Sequence, residues 1–441
     1  MPAVGVVCHG FEVSARVTAR GEGVPDARFV VYPPPNIGTH LPEDIQERAE
    51  GVLNNVIKAF GQPVTGAGAK ARRLSSTAHR ETVVRGTLSE VNDSFRENGW
   101  TDGLPIMPPT LEAVEAMLEG TNRSPDEVLG HLPPSMGAAT VWKIAVNAVM
   151  AGCRPEYMPV LLAVVEAIAD QRFGLRYAGS TLGWTPLIIL SGPIVKTLDF
   201  NSGAGVLRPW KQANITVGRF LRLCMTNIAG FAVGTTDMGT FGRNYHAVLA
   251  EAVDESPWGT LAEDLGYPAG SSIVAVLSEA DMGYHFITRG TPEQHLQRLA
   301  RETTRVLGGP PILGLTHFGP EWAPVVCVSP LLASILAEGG YSKKDFKRYL
   351  FDHVRITASE MEEQMQHLIP GYTLCEAVKQ GKLDGQFCAD DDPNRLVPVA
   401  TDPDDFKVVV SGHANMCRVL VVAQLGFQGQ FVSREVRHDG G

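Results

Sequence analysis

The chain has 441 residues, 44% of them apolar and 20% charged, and a formal net charge of -10. Such a length exceeds one ordinary hydrophobic core, so two or three domains are expected. The acidic balance argues against general nucleic-acid binding, which needs a basic face to displace counterions. No uncharged apolar run approaches the ~20 residues of a membrane-spanning helix.

Met1–His9 lacks a basic leader and a small-residue cleavage site, which points to a cytoplasmic chain. The seven cysteines are scattered without a C-x-x-C pair. No disulfide framework can be read from them, and a reducing compartment fits.

In chain order, residues 3–8 and 27–32 read as strands, and the apolar spacing over 41–60 predicts a helix. These make a small N-terminal α/β domain over 1–60. Residues 61–80 are Gly/Ala/Ser-rich and basic, without periodicity, and read as a linker. The rest, 81–441, is expected to form a large mixed α/β domain carrying the chemistry. Thr110 can cap a helix over 111–119. Residues 140–151 form an almost wholly apolar helix stopped by Gly152, and Pro155 starts the next one, running to Asp170. Strands are predicted at 186–191, 272–277, 325–328 and, as the last one, 406–410. Helices are predicted at 215–229, 292–306, 330–339, 343–352 and 356–367. No internal repeat is visible.

Six segments can carry chemistry. In 201–222, Asn201, Ser202 and Gly203 open a glycine-spaced loop in which Gly205 also permits close backbone approach. Asn214 can cap a helix from Ile215. Arg208, Lys211, Arg219 and Arg222 add positive charge with no acidic residue among them, an arrangement suited to a carboxylate or phosphate. Ser202 has no neighbouring histidine and no G-x-S-x-G around it. In the turn 150–159, Cys153 lies beside Arg154 at a helix start, where a thiol's pKa is lowered; Glu156 and Tyr157 can move protons. The alternative is a packed helix–helix corner.

The loop 237–246 gathers Asp237, Arg243, Asn244, Tyr245 and His246, and His246 is the first candidate for a general base. Residues 409–420 read as strand, glycine turn and helix, with His413 and Cys417 at i, i+4. No third ligand accompanies that pair, so no metal site is assigned. His317 and Glu321 sit in a similar segment at 316–321. Cys8, followed by His9 and Gly10, ends the first strand and can be a redox position or a core thiol.

Several segments are familiar together: 101–110 (TDGLPIMPPT), 145–160 (AVNAVMAGCRPEYMPV), 201–207 (NSGAGVL), 213–223 (ANITVGRFLRL) and 256–258 (SPW). They resemble a large, poorly characterised bacterial family whose members accompany, or are fused to, a small α/β domain of the UGSC (seleno)protein type. Residues 1–60, and 10–38 in particular, are similar to that small domain. The U/C-G-S-C sequence that names it is absent, since Cys8 stands alone and no Gly-Ser-Cys occurs. The resemblance therefore implies that chemistry lies in the large domain, with the Cys153 turn and 201–222 as the matched site segments.

The resulting expectation is an enzyme acting on a small anionic metabolite by acid/base or addition–elimination (lyase-like) chemistry. Arg219 and Arg222 would hold the anion, with Asn201, Ser202, Gly203, Asn214, Arg243 and His413 around the substrate. Cys153, Glu156 and His246 would act on it. The alternatives are a thiol-dependent oxidoreductase or transferase using Cys153, and a non-catalytic binding or assembly subunit. No motif identifies a cofactor. Neither nucleic acid nor membrane is expected as a partner, and a small domain unable to bury itself suggests homo-oligomers.

Overall fold

The computed structural model describes residues 3–34, 42–62, 80–242, 248–286, 290–308, 322–366, 371–425 and 429–437. Most of the proposed linker, 63–79, lies outside these residues. The fold is α/β, as expected.

At the N-terminus, β1 (Val4–Cys8) and β2 (Arg28–Tyr32) pair in parallel, with Val6 opposite Val30. Helix α1 (Glu12–Gly21) joins them, and α2 (Pro42–Gly61) lies on β2, where the Arg28 guanidinium donates to the Ala59 carbonyl at 2.8 Å. The reading from sequence left out α1, a ten-residue helix between the two strands in which no side chain is fully buried. Among the described residues of this unit, only Val30 and Tyr32 are buried apolar ones. It rests on the remainder of the chain: a Cβ on Gly21 would lie 2.5 Å from the Pro134 carbonyl oxygen, and Glu22 pairs with Arg176.

Next come α3 (Leu88–Glu97), started by a Thr87/Glu90 capping box, and α4 (Leu111–Leu118), capped by Thr110 as expected. Strands β3 (Val128–Leu132) and β4 (Gly137–Thr140) make a small antiparallel pair. Helix α5 (Val141–Ala151) is capped by Thr140 and ends at Gly152, whose φ of 81° suits glycine. A 3-10 turn, Pro155–Tyr157, leads into α6 (Met158–Ala169). Both helices are apolar nearly all round because both are enclosed.

The central sheet begins with β5 (Thr185–Ser191), followed by the short α7 (Ile194–Thr197) and by α8 (Gln212–Cys224), which runs into a π turn over Met225–Ala229. Then come β6 (Val248–Ala250), the short α9 (Leu261–Asp264), the long β7 (Ile273–Phe286) and α10 (Pro292–Leu307). The last third holds β8 (Val325–Val328), α11 (Pro330–Glu338), α12 (Lys343–His353), β9 (Arg355–Thr357), α13 (Ala358–Gln366), α14 (Leu374–Lys379) and β10 (Leu396–Pro398). Strands β11 (Lys407–Val410), β12 (Arg418–Gln424) and β13 (Val432–Glu435) complete it. Residues 418–420, the end of the expected helix, thus open a strand instead, and the strand at 407–410 is not the last. Tertiary pairing between β7 and β8 decides this segment.

The strand order is β11-β8-β12-β7-β5-β6, with β13 added to β7. That order reads as one unit used twice. In each half a central strand (β5 or β8) has a parallel neighbour outside it (β6 or β11) and an antiparallel one inside it (β7 or β12). The registers agree: Leu190 faces Ala250 and Val274, while Val328 faces Val410 and Val419. Glu251 N–H donates to Leu190, and Ser411 N–H donates to Val328 in the same way. An internal repeat therefore exists in the fold, although none is visible as sequence identity.

The sheet curls until its outer strands meet at their carboxyl ends. Ala252 N–H donates to the Val410 carbonyl at 2.8 Å, and Ser411 Oγ donates to the Ala250 carbonyl at 2.7 Å. Alternate residues of six strands, among them Ile189, Leu249, Leu277, Cys327, Val409 and Leu420, share one enclosed core. The intervening residues face outward into two helix-covered cores, one for each half. Burial on both faces explains why these strands read as unbroken apolar runs.

Candidate functional site

A cleft of about 470 Å³ opens at the carboxyl ends of β8 and β11, where the curled sheet closes. Ligands of open α/β sheets commonly bind at such strand ends. Here the two halves differ. In the first half the return from β6 to β7 is long and contains α9, whose Leu261 enters the shared core. In the second half the return from β11 to β12 is only residues 411–417, which leaves the end of the sheet open. One side is formed instead by residues 205–208 of the loop that begins at Asn201.

That loop is fixed by backbone chemistry. The buried Asn214 accepts from Asn201 N–H at 2.8 Å and donates to the carbonyls of Asn201 and Val248. Gly412 N–H donates to the Ser202 carbonyl at 2.8 Å, and Ser411 Oγ, whose proton goes to the Ala250 carbonyl, lies 3.0 Å from the same Ser202 oxygen. Gly205 turns the chain at a φ of 68°. The loop thereby carries Val206, Leu207 and Arg208 to the cleft.

The cleft has an apolar floor and a basic wall. Cys327, Val419 and Leu420 form the floor with Val206 and Leu207. Arg208, His413 and Arg418 supply cationic or donor groups, and no Asp or Glu is among the described lining residues. The Arg208 guanidinium makes no hydrogen bond or ion pair among the described residues. Arg418 is anchored at its root: its N–H donates to Ser329 Oγ at 3.0 Å, and its guanidinium donates to the Cys417 carbonyl. Nδ1 of His413 accepts from Asn415 N–H at 3.1 Å, which makes Nε2 the protonated nitrogen of the neutral ring.

Partial desolvation pushes the Tyr284 phenol up, although the residue is 68% exposed, with Glu279 and Cys327 adding to this and Arg208 opposing it. Desolvation, assisted by Glu251, pushes the Cys327 thiol up to about 12, so it lines the cleft as a small apolar group.

The residues singled out from sequence fall into separate places. Asn201, Ser202 and Gly203 lie in the loop beside the cleft, and His413 lines it. Asn214 sits inside α8 rather than capping it, because the helix starts at Gln212, and it serves as the loop's anchor. Arg219 lies elsewhere: Nε and one terminal nitrogen bind both Asp102 oxygens at 2.9 Å, and the same nitrogen donates to the Pro105 carbonyl. Arg222 pairs with Asp237 at 3.3 Å. Neither arginine lines the cleft.

Cys153 is buried in the first outer core, and desolvation pushes its thiol up to about 12 despite Thr216 and Arg219. This is the reverse of the lowered pKa expected at a helix start, because the desolvation cost exceeds the help from the nearby cation. Glu156 is exposed and pairs with Arg154. Arg243, Asn244, Tyr245, His246, His317 and Glu321 lie outside the described residues.

His413 and Cys417 belong to a return between strands, so their i, i+4 spacing puts them on no helix face. Among the described residues no group of three ligands could hold a metal, and no helix is long and apolar enough to cross a membrane. A disulfide joins Cys375 and Cys388, a pairing that could not be read from the spacing of the cysteines. The residues missed from sequence are Arg418, Ser329, Tyr284 and Cys327. A Ser-Pro pair directly after an apolar strand, at Ser329-Pro330, echoes Ser191-Gly192-Pro193 and was the available signal.

No curated protein and no solved structure matches the chain. Residues 1–62 match the model of the UGSC family, so the chain carries a UGSC-like small N-terminal domain ahead of the doubled sheet.

Proposed function

We propose that the chain is an enzyme acting on a small anionic metabolite in the cleft between Arg208 and Arg418, by acid/base, lyase-like chemistry. The observation that supports this reading is a concave site with two arginines and a histidine on its wall and no carboxylate among its described lining residues. Arg208 and Arg418 hold the anion; Arg219 and Arg222, expected in that role, are engaged by Asp102 and Asp237 and do not line the cleft. His413 Nε2 and the Tyr284 phenol, protonated at neutral pH like any phenol, are two groups able to exchange a proton with bound substrate. The thiol alternative loses support because the Cys153 and Cys327 thiols are both pushed up to about 12.

Calorimetry of the full chain with inorganic phosphate, acetate and malonate tests the binding part. Saturable binding that weakens at least tenfold in Arg418→Gln and in Arg208→Gln is expected. Binding indifferent to both substitutions would remove the proposal. Turnover of a carboxylate panel, lost in His413→Asn with binding retained, tests the chemistry; full turnover in that variant would reassign the acid.

A further inference from the structure

The two halves of the sheet place matching residues at matching positions, and one half is already filled. The shared registers make Ser191 the counterpart of Ser329, and Glu251 the counterpart of Ser411. In the first half the chain's own carboxylate occupies the strand ends. Glu251 is wholly buried; it accepts from Ser191 Oγ at 2.5 Å and from Leu261 N–H at 3.0 Å. In the second half a serine replaces that glutamate, so the internal carboxylate is missing and a cleft stands open.

The serine that would meet an incoming group is in place. Ser329 lines the cleft while only 3% exposed, and its Oγ accepts from Arg418 N–H. Its own proton has no acceptor among the described residues, whereas the proton of its counterpart Ser191 goes to the Glu251 carboxylate. Although Ser329 precedes α11, its side chain makes no capping bond. A buried hydroxyl with an unused donor is costly unless something accepts from it. Ser411 is the other buried hydroxyl among the described lining residues, but its proton goes to the Ala250 carbonyl; the apolar lining is Cys327 and Leu420 of the shared core and Leu207 of the loop.

We propose that the cleft takes an amphiphilic monocarboxylate, its carboxylate seated on Ser329 and Arg418 where Glu251 sits in the other half. Its apolar body lies on Cys327, Leu207 and Leu420. This inference rests on the anion reading of the same cleft and narrows it. A short hydrophilic anion uses the basic wall alone, whereas an alkyl carboxylate also removes the apolar floor from water.

The test is calorimetry of the intact chain with acetate, butyrate, hexanoate, 1-hexanol and inorganic phosphate. Affinity is expected to rise at each step from acetate to hexanoate, by at least tenfold overall. Hexanol should not bind measurably, and phosphate should bind more weakly than hexanoate. Ser329→Ala should weaken hexanoate at least fivefold and leave the ratio of phosphate affinities near one. Phosphate and acetate binding as well as hexanoate would overturn this inference and leave the anion reading intact. Absence of binding by every anion would overturn both. Because Ser329→Ala also removes a partner of Arg418 N–H, the chain-length series on the unaltered protein decides the matter if that variant does not fold.

Discussion

Arg219 offers the sharpest test of the structural reasoning, because its charge suggested a ligand site and its surroundings assign it to the frame. Its guanidinium meets Asp102 through two bonds of 2.9 Å, and the two side chains are 15% and 5% exposed. It also holds the Pro105 carbonyl at 2.8 Å, fixing the turn between α3 and α4 onto α8. Arg219→Gln leaves a buried carboxylate without its counter-charge, and such losses cost about 3–5 kcal/mol. Urea unfolding monitored by circular dichroism should show that loss at pH 7. Asp102→Asn combined with Arg219→Gln should cost well under the sum of the two single changes, since the double variant strands no charge.

The pH dependence has a definite sign. Burial opposes ionisation of Asp102, but Arg219 overrides it and holds the carboxyl below its usual range. The pair's contribution is therefore present above the unfolded carboxyl pKa of about 3.9 and lost as pH falls through the lowered folded value. The gap between the native protein and Arg219→Gln should close in that acid window. A cost under about 1 kcal/mol at pH 7, or simple additivity in the double variant, would refute the account.

Other expectations follow from burial and covalent linkage. Iodoacetamide at pH 8 should leave Cys153 of the native protein unmodified while Cys8 reacts, as peptide mass spectrometry would show, because the buried thiol is held near 12. Labelling of Cys153 as fast as Cys8 contradicts this. Glu251→Ala should destabilise by about 2–4 kcal/mol, since it opens a cavity and strands the Leu261 N–H, whereas Glu251→Gln should cost far less at neutral pH. Desolvation raises the Glu251 pKa, so its contribution is full below about 4.3 and declines as pH rises toward the folded value. The Gln variant should lack that decline, and an identical pH profile in thermal melts counts against it. Reduction of Cys375–Cys388, or replacement of both by Ser, should cost about 3 kcal/mol by the loop-entropy argument. Dithiothreitol should shift the unfolding midpoint of the native protein and leave that of the double variant unmoved.

Much of the fold was legible because local signals act over a few residues. Thr110 and Thr140 start their helices, Gly152 ends one, and the apolar run at β5 is a strand within one residue of its expected start. The segment 409–420 misled for an equally physical reason. Its apolar residues fit either a short helix or a buried strand, and only the facing edges of β7 and β8 choose between them. The site was half legible: the loop from Asn201 and His413 were recognised as unusual, but their meeting was not foreseeable across 200 residues of intervening chain.

What the sequence by itself determined is the set of apolar runs, caps and turn residues, and the clustering of positive charge in 201–222. What only the tertiary structure decided is where those charges are spent. Arg219 and Arg222 look equivalent to Arg208 along the chain, yet the fold brings Asp102 and Asp237 to the first two. Arg208 is left at a cleft with Arg418. Charge pairing, like the burial that raises the Cys153 thiol, depends on distance in space and on desolvation. Neither is encoded in spacing along the chain.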